Sequence, residues 1–439
     1  MRTTLRLLSI SLFSLLAPAL MAQNVNVSNG IVFDGEPYLT VNPNNGRHLV
    51  VAWMGFQLPL RTVIKTSASF DGGQTWSTVV QLPHLNAMTV SADPSLAFGR
   101  NGDLFLCYID FRQDGSEGLV WVSRSTDGGL TWGTPAEVIS LNDDPGKLPL
   151  DRPWMVVDTT TGPNSGNVYV TTMNATLFPV VPPYHPYITR STDGGNTFEP
   201  PQFLDDTGFL SGNLIPQPMP TPAMAADGTL HAIYPSFVLA QNILPQNLHA
   251  SSADGGNSFT YHVAQTGLDA VPDTLAKKGP LLIADPTDAN HLVFLRLSEV
   301  FGDADVLMIE SMDAGQTWSA EIRVNDDPVG NDRMQDLIWA DFDADGDLAV
   351  CWRDRRNSGA SGYQVNTEIW GAIRWKDSAD FSANFRVSDT AADHATILNE
   401  SGNDFMSVQF QEDTLSAVWG DVRSGILSIW FQRMAVRDG

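Results

Sequence analysis

Short apolar strands separated by tight polar turns recur along the whole chain. The clearest is an alternating strand that follows a turn pair such as Asn101-Gly102, Asp227-Gly228 or Asp345-Gly346, which is typical of a β-hairpin. Its first apolar residue occurs seven times, about 62 residues apart, at Leu49, Leu104, Val168, Leu230, Leu292, Leu348 and Leu415. A repeat of this length that carries strands predicts β units arranged in a stack or a ring.

A second strand, which opens with an acidic residue or a proline, precedes each alternating strand. Its seven copies begin at Glu36-Pro37, Asp93-Pro94, Asp151-Arg152-Pro153, Thr221-Pro222, Gly279-Pro280, Asp336-Leu337 and Asp404-Phe405. Proline is tolerated at the start of a strand because no ladder N–H is needed there. Each unit therefore begins with this strand and continues with the alternating one.

A glycine-rich turn with a following aromatic residue is the third repeated feature. One copy is Ser125-Thr126-Asp127-Gly128-Gly129-Leu130-Thr131-Trp132. Others lie at 69–76, 191–198, 252–259 and 311–318, and a degenerate copy lies at 378–385. The glycines permit positive φ, and the serine and aspartate can bond nearby backbone N–H groups. The motif resembles the Asp-box of the sialidase superfamily, in which this turn is structural. The resemblance spans most of the chain and implies a β-propeller.

The count of repeats predicts an all-β, seven-bladed propeller of four-stranded antiparallel sheets, with six blades as the alternative. The seventh unit has three strands before the chain ends, whereas the turn occurs only six times. We expect residues 24–28 to supply the missing outer strand beside residues 426–434, which closes the ring and removes an open sheet edge.

The termini and composition place this propeller outside the cytoplasm. Residues 1–22 have two arginines, a short apolar run and a small-residue cleavage site, which predicts a signal peptide and a secreted or periplasmic protein. Residues 23–439 then form a single domain. The net charge of −25 disfavours nucleic acid and anionic membranes as partners, and we expect a monomer. Cys107 and Cys351 occupy equivalent positions in non-adjacent blades, so we expect buried free thiols.

Arginines concentrate on the face that carries the starts of the first strands and the ends of the second strands. The candidates for binding an acidic sugar are Arg112, Arg152, Arg333, Arg356 and Arg423, because guanidinium groups bind carboxylates bidentately. The sialidase resemblance implies such arginines, a Tyr–Glu nucleophile pair and an aspartic acid; Tyr363, Glu368 and Asp93 are the candidates. The alternative reading is that each Asp-x-Arg forms an ion pair between blades.

Two further chemistries remain open from the sequence. Tyr184, His185 and Tyr187 in a proline-rich excursion of the third unit could abstract a proton beside a uronate, as in polysaccharide lyases with similar propellers. Asp341, Asp343 and Asp345 resemble a calcium loop, although Trp352 stands where its last ligand would be. We expect no other metal or cofactor.

These observations predict a secreted, sialidase-like propeller that hydrolyses or binds an acidic sugar of a glycan or glycoconjugate. As an enzyme it would be an exo-glycosidase of the sialidase type. The first strand, Glu36-Pro37-Tyr38, lacks the arginine of the catalytic family members, which favours the alternative of a non-catalytic propeller that binds glycan or protein. The third alternative is the uronate lyase.

Overall fold

The computed structural model describes residues 23–30, 32–58, 61–84, 88–112, 114, 116–140, 142–145, 150–174, 183–212, 219–238, 245–267, 280–393 and 403–436. These residues form seven four-stranded antiparallel sheets, which are the blades of a propeller. The predicted fold and blade number are confirmed. The predicted signal peptide, residues 1–22, lies outside the described residues.

Each blade uses four strands in chain order, from the axis outward, except the seventh. The strands are, for blade one, β2 (Asp34–Asn42), β3 (Asn45–Gln57), β4 (Arg61–Ser69) and β5 (Val80–Gln81); for blade two, β6 (Val90–Phe98), β7 (Leu104–Phe111), β8 (Gly118–Ser125) and β9 (Ala136–Ser140); for blade three, β10 (Leu150–Val157), β11 (Val168–Asn174), β12 (Pro186–Ser191) and β13 (Gln202–Phe203); for blade four, β14 (Thr221–Met224), β15 (Leu230–Ser236), β16 (Gln246–Ser252) and β17 (Thr260–Thr266); for blade five, β18 (Leu281–Ala284), β19 (Leu292–Ser298), β20 (Asp305–Ser311) and β21 (Ile322–Arg323); for blade six, β22 (Gln335–Phe342), β23 (Leu348–Asp354), β24 (Glu368–Arg374) and β25 (Phe385–Arg386); and for blade seven, β26 (Ser407–Gln411), β27 (Thr414–Asp421), β28 (Ser428–Ala435) and β1 (Val25–Asn26).

The N-terminal strand completes the last blade, as the sequence predicted. Val25 lies opposite Phe431 and Asn26 opposite Trp430 in an antiparallel pair. The N–H of Val27 donates to the carbonyl of Ile429 at 2.9 Å and extends the pairing by one residue. The two ends of the described chain are thereby joined in one sheet, and β1 covers the outer edge of β28.

Five turns between the third and outer strands share one hydrogen-bond pattern. In blade two the Ser125 hydroxyl donates to Asp127 at 2.8 Å, and the same aspartate accepts the N–H and hydroxyl of Thr131 at 2.9 and 2.6 Å. Gly129 has a φ of +89°, and a Cβ there would come within 3.1 Å of Val50 in blade one. The turn therefore both closes a hairpin and fits against the preceding blade.

Apolar side chains of neighbouring sheets pack against each other to form the core. The middle strands are almost wholly buried, and the largest buried side chains include Trp53, Trp352 and Trp419. Cys107 and Cys351 are buried and free, as predicted. Burial raises the pKa of both thiols, which keeps them protonated and unreactive. No helix among the described residues has the length and apolarity needed to cross a membrane.

Candidate functional site

A shared irregularity in four of the innermost strands shapes one end of the central channel. The ladder register shifts at Glu36, Asp93, Arg152 and Leu337 in blades one, two, three and six. Each has positive φ, from 48° to 59°, and in the first three the next residue is a proline. Because proline has no N–H for the ladder, these strands bulge, and the bulge aims the preceding side chains differently from regular alternation.

The bulges bring three carboxyl groups together at the channel mouth. The carboxyl group of Asp93 hydrogen-bonds with those of both Glu36 and Asp151, and it accepts the backbone N–H of Arg152 at 3.1 Å. Glu36 and Asp93 are only 3% and 8% exposed. A hydrogen bond between two carboxyl groups needs a proton on one of them, so this cluster holds protons.

Burial and mutual repulsion shift the acidity of the cluster. Burial, and then the charge of Asp404, raises the pKa of Glu36 to about 7. Burial, and then Glu36, raises the pKa of Asp93 to about 7. Burial and Asp93 together raise the pKa of Asp151 well above its usual range. Asp93 was predicted from the sequence, whereas Glu36 and Asp151 were missed; the acidic start of the first strands was the signal that could have found them.

One ion pair crosses the channel above these carboxyl groups. The Arg152 guanidinium, from blade three, lies 2.7 Å from Asp404 of blade seven. It also contacts the sulfur of Met219 at 3.3 Å. Since blades three and seven are not neighbours in the ring, this pair spans the mouth. Arg152 is thus at the channel as predicted, but a protein carboxylate already neutralises it.

Four aromatic side chains meet below the mouth and narrow the channel. Trp154 of blade three is 5.8 Å from Tyr38, 5.3 Å from Trp339 and 5.2 Å from Phe405, measured between ring centroids. In blades one, three and six the ring stands two residues after the bulge, and in blade seven Phe405 stands two residues after Asn403, which also has positive φ. They form a belt that fills one side of the channel.

A cavity of about 310 Å³ remains on the other side. The inner strands of blades four and five line this space with small side chains such as Ala223 and Ala284 and with larger apolar ones such as Leu281 and Ile283. Arg152 and Asp404 line one end of the cavity, and Asp341 lines the other. The arrangement is a mostly apolar chamber with a charged group at each end.

Asp341 is an unusual group for this position because it is a half-buried carboxyl group in a mostly apolar chamber. Its carboxylate accepts the N–H of Phe410 at 2.9 Å and the side-chain amide of Gln409 at 3.2 Å. Burial raises the pKa of Asp341 to about 7. The same burial, with Asp341 close by, raises the pKa of the Tyr38 hydroxyl. Asp341 therefore belongs to the channel.

Two of the predicted arginines form matching clamps between blades. Arg423 lies 2.7 Å from Asp421 and 2.5 Å from Asp389, donates to Asn24 at 2.8 Å, and stacks over Trp430 at 4.6 Å. The clamp ties the segment before blade seven and the N-terminal strand to blade seven.

Arg356 makes the equivalent contacts one blade earlier. It lies 2.9 Å from Asp354, 2.7 Å from Asp326 and 4.2 Å above Trp370. Arg423 and Arg356 thus form ion pairs of the kind expected under the alternative hypothesis, in which each Asp-x-Arg joins neighbouring blades.

The other two predicted arginines lie apart from these clamps. Arg112 is paired with Asp114 at 3.0 Å, and its side chain is 30% exposed. Arg333 uses its backbone N–H to bond Asp303 at 2.8 Å, and its guanidinium donates to the carbonyl of Ala360. Arg152 is therefore the predicted arginine that lines the axial cavity.

Tyr363 and Glu368 lie in separate hydrogen-bond networks of blade six. The buried Tyr363 hydroxyl accepts from Arg353 at 2.8 Å, and the guanidinium of Arg355 lies 4.3 Å from its ring centre. Both arginines pair with Asp336, at 2.6 and 3.0 Å. Although burial raises the pKa of Asp336, the two guanidinium groups bring it below its usual range.

The partners of Glu368 are different. Its carboxylate accepts from Asn357 at 2.7 Å, Trp370 at 3.0 Å and Arg386 at 2.8 Å. The structure therefore surrounds each member of the predicted pair with its own partners, and their role as a nucleophile pair stays a prediction.

The predicted proton-transfer group of blade three lies on the outer half of that blade. His185 bonds Asp205 at 3.0 Å and stacks on Phe203, whose ring centre is 4.1 Å away. The Tyr187 hydroxyl donates to Asp144 at 2.6 Å. Tyr184 pairs through its backbone with Gly212. The three residues thus precede or begin the third strand, away from the carboxyl cluster.

The predicted calcium loop is divided between two environments. Asp341 faces the channel, whereas the carboxylate of Asp343 accepts the N–H groups of Asp345 and Asp347 at 3.3 and 3.0 Å. Oxygen atoms of Asp343, Asp347 and Asp413 lie within 4.8 Å of one another. Calcium binding at Asp341, Asp343 and Asp345 stays a prediction.

Comparisons with known proteins agree with the architecture. No family model and no curated protein sequence matches the chain. The GH93 alpha-L-arabinofuranosidase of Fusarium graminearum in complex with arabinobiose is similar with 13% identity and a TM-score of 0.50, over 94% of this chain and 98% of that one. A protein of unknown function from Dyadobacter fermentans has 14% identity and a TM-score of 0.51, over 95% and 99%. The Penicillium chrysogenum alpha-L-arabinanase complexed with arabinobiose has 13% identity and a TM-score of 0.50, over 94% and 98%. At such identities the likeness is one of fold.

Proposed function

We propose that the protein is a secreted or periplasmic, glycan-active propeller whose site is the channel mouth formed by Glu36, Asp93, Asp151, Arg152 and Asp404. The five repeated turns have the composition of the Asp-box, which supports membership of the sialidase superfamily. The structural neighbours include an arabinofuranosidase and an arabinanase, so the fold is one on which glycoside hydrolysis occurs.

The observation that carries this proposal is the proton-sharing carboxyl cluster. Cleavage of a glycosidic bond needs a carboxylic acid that still holds its proton near neutral pH, together with an ionised carboxylate. Asp93 has a pKa of about 7 because it is buried beside Glu36. We assign Asp93 the role of acid, and Asp404, which forms the ion pair with Arg152 at 2.7 Å, the role of the carboxylate.

The pairing of the arginines bears on which sugar is bound. An acidic sugar would have to compete with Asp404 for Arg152, and with Asp354 and Asp421 for Arg356 and Arg423. The excess of carboxyl groups at the mouth therefore supports a neutral or cationic sugar better than the acidic sugar expected from the sequence.

A panel of fluorogenic glycosides, including an arabinofuranoside and a sialoside, tests this function. We expect turnover of at least one neutral or amine-bearing substrate, and kcat lower by about 10²- to 10⁴-fold in Asp93→Asn. The dependence of kcat/KM on pH should show a group with a pKa of about 7. Asp103→Asn, which removes a carboxylate from a surface ion pair with Arg124, is the control and should retain activity.

A non-catalytic glycan-binding propeller is the second candidate, and the burial of the cluster favours it. Glu36 and Asp93 are 3% and 8% exposed, which restricts contact with a substrate. If no glycoside of the panel is turned over but the protein binds glycans on an array, hydrolysis is rejected and this candidate is supported. No observation on the channel favours the uronate lyase, since Tyr184, His185 and Tyr187 lie on the outer half of blade three.

A further inference from the structure

The axial cavity is lined by more acidic than basic side chains. Arg152 is the one cationic side chain among the described residues that line it, and Asp404 already neutralises that cation at 2.7 Å. Asp341 lines the far end, where its carboxylate accepts the N–H of Phe410 and the side-chain amide of Gln409, which are neutral donors. The chamber is therefore suited to a cation and would repel an anion.

The aromatic walls of the cavity are a second, independent feature that favours a cation. Tyr38, Trp154, Trp339 and Phe405 all line it. The faces of aromatic rings attract organic cations, and several rings around one site are the usual means of holding an ammonium group. An apolar wall alone would accept any apolar molecule, but aromatic walls combined with the carboxyl group of Asp341 discriminate by charge.

One buried polar atom of the cavity wall has no protein partner among the described residues. It is Nε1 of Trp154, a residue that is 8% exposed and lines the cavity. A buried N–H without an acceptor is destabilising, so a ligand that carries an acceptor oxygen would satisfy it.

We propose that the axial cavity binds an organic ammonium group that also carries hydroxyl groups, so that the glycan acted on at the mouth bears a free amine. The second part rests on the proposed function, whereas binding in the cavity does not. The ammonium group lies between the aromatic belt and Asp341, and a hydroxyl oxygen accepts from Trp154. A volume of about 310 Å³ is at the small end of ligand pockets and suits a single sugar residue or a comparably small cation.

Calorimetric titration with two pairs of probes tests the proposal without any need for turnover. Choline is compared with 3,3-dimethylbutan-1-ol, which has the same shape and no charge, and glucosamine is compared with glucose. We expect the charged member of each pair to bind at least about tenfold more tightly, which matches the range of cation–aromatic and buried-charge contributions. Equal binding of both members, or no binding of either cation, would overturn the proposal.

Variants assign the binding to the cavity. Asp341→Asn should weaken choline binding by about tenfold and leave the neutral alcohol unaffected, and Trp339→Leu should weaken choline more than the alcohol. Asp103→Asn removes the same charge far from the channel and should change neither. If Asp341→Asn does not fold, the two probe pairs on the wild-type protein still decide the question. Asp93→Asn separates the two proposals: it should abolish hydrolysis while choline still binds.

Discussion

At the scale of single residues, the buried carboxyl cluster makes stability depend on pH in an unusual direction. The pKa of Glu36 is about 7 in the folded protein, against an ordinary value of 4.5. Below pH 4.5 the group is protonated in both states. As pH rises from 4.5 to 7 it ionises first in the unfolded chain, so folding loses stability over this range.

Glu36→Gln should remove this loss. We expect the variant to exceed the wild-type free energy of unfolding by about 1–3 kcal/mol at pH 8 and to gain little at pH 4. Urea unfolding at pH 4, 6 and 8 measures the difference. The exposed Glu137→Gln serves as the control, and a gain that is the same at all three pH values would contradict the assignment.

The two kinds of arginine on the same face should respond differently to replacement. Arg423→Met keeps an apolar stem against Trp430 but leaves Asp421 and Asp389 unpaired, and breaking such a buried pair costs about 3–5 kcal/mol. Arg112→Met removes a half-exposed pair, and we expect a change of less than about 1 kcal/mol. Thermal unfolding compares the two, and equal costs would show that Arg423 is not a structural clamp.

At the scale of elements, a buried pair of histidines in blade four should make the contact of this blade with blade five acid-labile. His231 and His249 are fully buried, and their ring nitrogens lie 2.9 Å apart. The His249 ring packs against Gly315 of blade five. Burial lowers the pKa of His231 to about 4 and that of His249 to about 3. The folded state therefore keeps both rings neutral.

This pair predicts a loss of stability as the pH falls below 6.5, where the unfolded histidines take up protons and the folded ones do not. His249→Gln retains a hydrogen-bonding group without the titration. We expect its unfolding free energy to fall by about 2 kcal/mol less than that of the wild type between pH 7.5 and pH 4.5. If the slope of His249→Gln is parallel to that of the wild type, the assignment to this pair is rejected.

The elements were readable from the sequence because each has a local cause. Alternation predicts the strands, and the Gly-Gly pair of the turn at 125–132 predicts positive φ. The side chains that meet in the channel could not be predicted from such local patterns. Asp93, Glu36 and Asp151 meet only because the strands bulge, and regular alternation does not say where a bulged side chain points. The sequence predicts Asp341 as part of a calcium loop, and only the structure shows that this residue lines the far end of the channel.

At the scale of the whole molecule, closure of the ring by the N-terminal strand links the stability of all seven blades. Blade seven is the one sheet whose strands come from both ends of the chain. Neighbouring blades bury their faces against each other, so loss of the closing strand exposes the outer edge of β28 and loosens its contact with blades six and one. The Arg423 clamp adds to this closure through Asn24.

Val27→Pro tests the closure most directly. The residue is 4% exposed, and its N–H donates to Ile429 at 2.9 Å. Proline removes that donor, and we expect the free energy of unfolding to fall by about 3 kcal/mol. The entire propeller should still unfold in one cooperative transition. Val27→Ala loses only side-chain packing and should cost about 1–2 kcal/mol. If Val27→Pro instead melts in two steps, with most blades unfolding at the wild-type temperature, the ring does not depend on its closing strand, because the remaining six blades would then be stable as an open arc.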